Sequence, residues 1–411
     1  MGHDSIQRRA FLKMSLSAGA GLLLVACGSA AALPSSGAPS SGGAANSATA
    51  GESAQPSSSG VAKPAAAAGS ASSAPQSSTG ATGKPAASSA GASSSSATTQ
   101  AATVSLGFLS VAGDAPSIIS TQRGYFKDVG ITVENVPFDG GSKAIPALAA
   151  GQLDLTTGTA DVNFFNAVAR NIPLRLAGDD GLIAPGHDFY GIAVRNELVS
   201  NGKYKTIKDL KNLKVGVSSL TGALYYFLVV IAQKNGWDPK DYNVTTITFA
   251  DSIVALKQGS IDAAVLVEPF ASRAETDGNS KVVVRTLDVS PDVPGAHLMV
   301  SPQFLQKGGG DVAVRFFTGW LRGVRDYLTD FVGGKNPDDV VKMLQANKIN
   351  IVPTAQNPTY DPDGKLPVKP VQDLFTYFNG LGKIEGKVDF ASTIDTSAMA
   401  KAAAQLGPYK S

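Results

Sequence analysis

Cysteine is almost missing from this chain: one residue in 411, Cys27. That excludes an internal disulfide, a cysteine-based metal site, and a thiol nucleophile in any domain beyond residue 27. Histidine is nearly as scarce, with His3, His187 and His297. Two histidines far apart in sequence do not make a convincing metal site. Neither charge sign dominates. From residue 104 onward there are 30 Lys and Arg against 31 Asp and Glu, so no basic field points to nucleic acid. Nor does a block of like charge mark a lipid-binding patch. The N-terminal apolar stretch, Met14 to Ala26, is too short to span a bilayer comfortably.

What stands at the front is therefore read as a targeting segment. "SIQRRAFLK" is a basic lead-in, and Arg8-Arg9 resembles a twin-arginine export signal, with Gln7 where Ser or Thr is usual. Leu24-Val25-Ala26-Cys27 resembles a bacterial lipobox. The expectation is a signal segment over 1–27, with Cys27 lipid-modified and holding the protein to the membrane. Residues 28–103 follow without a single aromatic and with only Glu52, Lys63 and Lys84 charged. Such a Ser/Ala/Gly/Pro segment cannot bury enough apolar surface to offset its ordering entropy. It is expected to be a flexible tether, reaching on the order of 50 Å.

From Val104 the pattern changes. "VSLGFL", "ITVENVPF", "LDLTTG", "LRLAG" and "FYGIAVR" read as strands, separated by segments of helical period. The rhythm restarts with "KVGVS", "NVTTITF", "IDAAVLV", "KVVVRTL" and "GAHLMVS", after which the chain reads mainly helical. Alternation of this kind predicts an α/β fold of βαβ units with parallel, doubly wound sheets. It is written twice. "ALAAGQLD" at 147–154 and "ALKQGSID" at 255–262 share Ala, Leu, Gly and Asp, and an acid follows each, at Asp161 and Glu268. Two lobes of similar topology are expected. Ligands of open α/β sheets bind beyond the carboxyl ends of the strands, which places the site between the lobes.

Four loops then become candidates. They carry Ser110, Asp114 and Ser117; Gly140 and Gly141; Thr159 and Asp161; and Ser218, Ser219, Thr221 and Gly222. Tyr190 and Glu268 complete the set. Glycines and hydroxyls at helix starts can hold an anion or a polar oxygen through backbone N–H groups. The same residues are also ordinary caps. Phe138, Phe164, Tyr225 and Phe270 are further aromatics placed to sandwich a flat solute. Lys143, Arg123 and His187 are the nearby bases. Two acids and several aromatics favour a neutral or amine-bearing organic solute.

"GYF" at 124–126, "GI" at 130–131, "GG" at 140–141, "AGQLD" at 150–154 and "VEPF" at 267–270 resemble the periplasmic solute-binding proteins of ABC importers. The relevant branches take nitrate, sulfonates and taurine, or thiamine-pyrimidine precursors. The resemblance covers about 104–300. It implies a two-lobed type II periplasmic-binding-protein fold, with lobe 1 from 104–190 plus 296–411 and lobe 2 from 191–295. "FYGIAVR" and "GAHLMVS" would be the crossings. It implies a sulfonate, nitrate or thiamine-precursor-like ligand, an ABC permease as partner, no cofactor and a monomer. It also implies an acid at 268 against a ligand amino group. Two rivals remain: a tethered sensor of the same fold, and an enzyme of the pyrimidine-synthase or desulfinase type, which the missing cysteine disfavours. A Ser hydrolase is disfavoured too, because "GVSSL" at 216–220 lacks the closing Gly of a nucleophile elbow.

Overall fold

The computed structural model describes residues 100–353 and 355–410. The export signal, Cys27 and nearly all of the expected tether lie outside the described residues.

Ten strands form two five-stranded sheets. β1 (Ala102–Phe108), β2 (Ile131–Pro137), β3 (Leu155–Thr156), β4 (Arg175–Gly181) and β10 (Ala296–Val300) make the first, in the order β2-β1-β3-β10-β4. β5 (Tyr190–Arg195), β6 (Lys214–Val217), β7 (Asn243–Thr246), β8 (Ala263–Val267) and β9 (Ser280–Arg285) make the second, in the order β7-β6-β8-β5-β9. β1 starts inside the stretch read as tether, because Ala102 and Thr103 pair with Ile131 and Thr132 through backbone groups alone.

The expectation of all-parallel sheets needs correcting. β10 runs antiparallel to β3 and β4, and β5 runs antiparallel to β8 and β9. These are the first strands laid down after the chain passes from one sheet to the other. No helical crossover precedes them, so they enter from the opposite end.

The helices used below are α1 (Ala115–Gln122), α2 (Gly141–Ala149), α3 (Val162–Ala169), α4 (Ala223–Asn235), α5 (Phe249–Gln258), α6 (Asp311–Asp326) and α7 (Val368–Gly380). α6 carries Phe316, Phe317 and Trp320, all fully buried, against the α1 side of the first sheet. α7 is shared. Phe375 meets Phe165 of α3 at 4.8 Å between ring centroids, and Tyr377 meets Tyr226 of α4 at 5.6 Å. A helix expected to belong to the first lobe thus also braces the second.

The repeated phrase is explained here. Gly151 and Gly259 both sit at φ +71° and end a helix in the left-handed region that glycine enters without strain. Asp154 then accepts a hydrogen bond from Ser105 N (2.9 Å), and Asp262 accepts one from Lys214 N (3.0 Å). Each carboxylate pins the start of one strand to its parallel neighbour. A salt bridge holds each in turn, from Lys307 at 2.9 Å and from Arg195 at 3.1 Å. Asp154→Ala and Asp262→Ala should each cost about 1.5–3 kcal/mol of stability, the worth of a hydrogen bond to a charged group. Urea denaturation of each variant checks this, and ligand binding should be unchanged.

Candidate functional site

A cavity opens between the carboxyl ends of the two sheets. Counting its open mouth, it encloses about 730 Å³ of empty space. Lobe 1 supplies the turn after β1 (Leu109, Val111, Gly113), the start of α2 (Gly140, Gly141, Ser142) and the end of β3 (Thr157, Gly158, Thr159). β4 contributes Asp180 and β10 Ala296. Phe189 and Tyr190 line it where the chain enters β5. Lobe 2 adds Ser218, Ser219 and the start of α4, with Phe249 and Val267. This is the position an open α/β sheet reserves for ligands.

Seven of the thirteen candidate ligand residues line the cavity: Gly140, Gly141, Thr159, Tyr190, Ser218, Ser219 and Gly222. Tyr190 is held in place by a 3.4 Å contact between its hydroxyl and that of Thr159, which also donates to Gly295 O at 3.0 Å. Burial pushes the Tyr190 phenol up to about 12, so it stays neutral.

The other six do not line it. Ser110 and Ser117 are absent from the lining, and Ser117 is buried at the start of α1. Asp114 turns inward to accept from Val111 N (3.0 Å) and Thr157 Oγ1 (3.3 Å). Burial raises its carboxyl to about 7. Glu268 is fully buried and already occupied, by Arg285 at 3.0 Å and by Ser272 N at 3.0 Å. It is a structural acid in this geometry. The expected role against a ligand amino group does not fit, because its charge already has a partner.

Asp161 and Thr221 sit beside the cavity and tie the lobes together. Asp161 caps α3 by accepting from Asn163 N (2.9 Å) and Phe164 N (3.1 Å). Its other oxygen accepts from Ser142 on α2 and from Thr221 Oγ1 of lobe 2 at 3.3 Å. Val162 N donates to Thr221 O at 3.3 Å, and Ala112 N donates to Glu268 O at 3.1 Å. Backbone and side-chain bonds therefore both cross between the lobes. Burial raises the Asp161 carboxyl, an effect its hydrogen bonds partly oppose.

Of the aromatics expected to sandwich a solute, only Tyr190 lines the cavity. Phe164 is buried against Phe165 in the core, and Phe270 packs behind Phe249 at 5.4 Å. Phe189 and Phe249 are the rings that reach the site beside it. The candidate bases are engaged elsewhere. Arg123 pairs with Asp326, Asp330 and Asp339, Lys143 with Asp139, and His187 Nδ1 lies 3.0 Å from Asn357 O.

The residue missed by sequence reading is Asp180. The strand "LRLAG" was expected to end at Gly178, but β4 runs on to Gly181 and carries two acids inside it. Consecutive carboxyls in a buried strand were the available signal. Asp179 is satisfied by Gly181 N (2.9 Å) and Asp361 N (3.0 Å), and burial raises it to about 7. Asp180 lines the cavity, and its Oδ1 has no hydrogen-bond partner among the described residues. Burial, then the charges of Asp114 and Asp179, push its carboxyl well above the usual range.

Known proteins place this geometry. The chain is 26% identical over 174 residues to the putative aliphatic sulfonates-binding protein of Escherichia coli K12, covering 42% of this chain and 51%, about half, of that protein. It is 22% identical over 302 residues to the putative binding protein YtlA of Bacillus subtilis 168, covering 68% of this chain and 84% of that one. Among solved structures it resembles the alkanesulfonate-binding protein SsuA of Xanthomonas axonopodis pv. citri bound to MOPS. The TM-score is 0.58 at 17% identity, over 72% of this chain and 99% of that one. The shared architecture is the two-sheet periplasmic-binding-protein fold. A family model matches residues 97–313, more than half of the chain, and the protein belongs to the NMT1-like family.

Proposed function

We propose that this chain is the extracytoplasmic solute receptor of an ABC importer, capturing a small organic solute between its lobes and passing it to a permease. The observation that carries the reading is the cavity itself. It lies at the strand ends of both sheets and is crossed by hydrogen bonds that only a closed pair of lobes can make. Lipid attachment at Cys27 and a long tether fit the same role, since a receptor must stay near its permease yet be free to turn. The family and its named relatives agree with it. Cysteine and histidine are both missing from the cavity lining, and no catalytic step is assigned.

The test is made on the full-length chain in its own cell. Mass spectrometry of the isolated protein should find one solute at one-to-one stoichiometry. Deleting the gene should abolish uptake of that solute. A bound solute with uptake intact would favour a sensor instead. No bound solute and no uptake defect would remove the receptor reading.

A further inference from the structure

We propose that Asp180 is the counter-charge for a cation carried by the ligand, so that the cavity takes an organic ammonium or amidinium with an apolar body. This rests on the receptor reading above and narrows it to a chemical class. Three features of the cleft converge on it.

The first is the state of Asp180. It is 2% exposed and lines the cavity, with Oδ1 unpartnered among the described residues. An unpaired buried acid is costly to keep. Its neighbours Asp114 and Asp179 are both hydrogen-bonded by backbone N–H groups. Of the three acids, only Asp180 both faces the cavity and has an oxygen left over.

The second is the distribution of charge. Lys, Arg and His are all missing from the lining, and Lys143, in the adjoining pocket that shares Gly140, Gly141 and Ser142, is paired with Asp139, so an oxyanion would find no unpaired cation there. The starts of α2 and α4 carry no side-chain cap, but a carboxylate already lies beside them. Asp161 caps α3 and takes hydrogen bonds from Ser142 at the start of α2 and from Thr221 just before α4. A sulfonate placed there would meet a carboxylate. The third is the wall. Leu109, Val111, Phe189, Leu224 and Phe249 offer apolar surface for the rest of the solute.

The protonation state follows from what surrounds Asp180. Asp114 and Asp179 face it, with Asp361 beyond Asp179. The phenols of Tyr190 and Tyr360 are kept neutral by burial. His297, paired with Asp179 across the sheet, is kept neutral by burial too. No base among these favours the carboxylate, so Asp180 holds its proton more firmly than an ordinary carboxyl does. A cation binds the ionised form, and the displaced proton leaves to solvent. Affinity should therefore rise with pH.

The experiment uses the full-length chain with four probes of similar size: benzamidine, phenethylamine, 2-phenylethanol and benzenesulfonate. Calorimetric titration in phosphate and in Tris reads both affinity and proton release. The two cations should bind at least tenfold more tightly than the alcohol or the sulfonate and release protons on binding. Asp180→Asn should weaken the cations at least tenfold. The same variant, without ligand, should melt at a higher temperature, because it removes an unpaired acid from between two others. Equal or tighter binding of the sulfonate overturns the proposal and leaves the receptor reading standing. So does cation binding indifferent to Asp180→Asn. If none of the four binds, the unliganded melting point decides. A rise upholds Asp180 as a site acid retained at the expense of stability. A fall makes it a structural acid and overturns the proposal. The receptor reading fails separately, by the uptake and bound-solute test.

Discussion

Asp161→Ala should cost about 3 kcal/mol and shift the lobes towards an open arrangement. Losing an N-cap costs about 1 kcal/mol. Losing two hydroxyl donors to a buried acceptor adds about 1 kcal/mol each. The partners report on different things. Asn163 N and Phe164 N lie within α3, so their loss only frays the helix. Thr221 belongs to the other lobe, so its loss frees the cleft. Asp161→Asn should keep both. Asparagine caps a helix as well as aspartate does, and the hydroxyls of Ser142 and Thr221 can rotate to accept from its amide; only the part-buried Asn163 Nδ2, which donates to the same oxygen at 3.3 Å, loses its acceptor. The variant's cost should stay below about 1 kcal/mol. Urea denaturation gives the energies, and small-angle scattering gives the opening. Equal behaviour of the two variants would show that neither the cap nor the bonds to Ser142 and Thr221 contribute.

The second large effect is on pH. Stability should fall as pH rises from 5 to 8. Asp114 and Asp179 have folded-state values of about 7 against an ordinary value of 3.8, and Asp180 is raised as well. A raised acid contributes stability fully below its unfolded value and loses it as pH climbs through its folded one. His297 acts in the opposite sense. Burial lowers it to about 3 from 6.5, so its contribution is present above 6.5 and lost on acidification. Between pH 4 and 6.5 the folded chain holds protons on three acids that the unfolded chain sheds. The unfolded chain gains only one, on His297. The acids win. Asp114 and Asp179 against His297 leave one net proton, worth about 1.4 kcal/mol per pH unit, so between pH 5 and 7 a loss of roughly 3 kcal/mol is expected, and Asp180 adds to it in the same direction. Thermal melts from pH 5 to 8 check it, and Asp180→Asn should flatten the slope. A stability maximum at or above neutral pH would mean that these carboxyls stay ionised in the fold.

Much of the architecture was legible because it rests on short-range rules. Gly151 and Gly259 stop their helices through local backbone freedom, and apolar strands such as "AAVLV" announce burial whatever surrounds them. The loops of the cleft were legible for the same reason. A strand end followed by Gly-Gly or Ser-Ser before a helix marks its own place, and Gly140, Gly141, Ser218 and Ser219 do line the cavity. The family words lie in these same turns.

The roles of the charged residues were not legible, because a charge is defined by its partner. Glu268 looked like a ligand contact until Arg285, 17 residues on, was found against it. Asp180 was passed over because it lies beyond an expected strand end. Its meaning comes from Asp114, 66 residues earlier, and from a strand that never supplies it a base. The direction of β5 and β10 belongs to the same class. Alternation shows that a strand exists, but only the path by which the chain re-enters a sheet sets its sense. The sequence by itself determined the elements, the two-lobed plan and the loops that frame the cleft, since these depend on neighbours a few residues away. The tertiary structure alone decided which carboxyls are spent on structure and which one faces the cavity unpaired, because desolvation and pairing depend on what folding brings together from far along the chain.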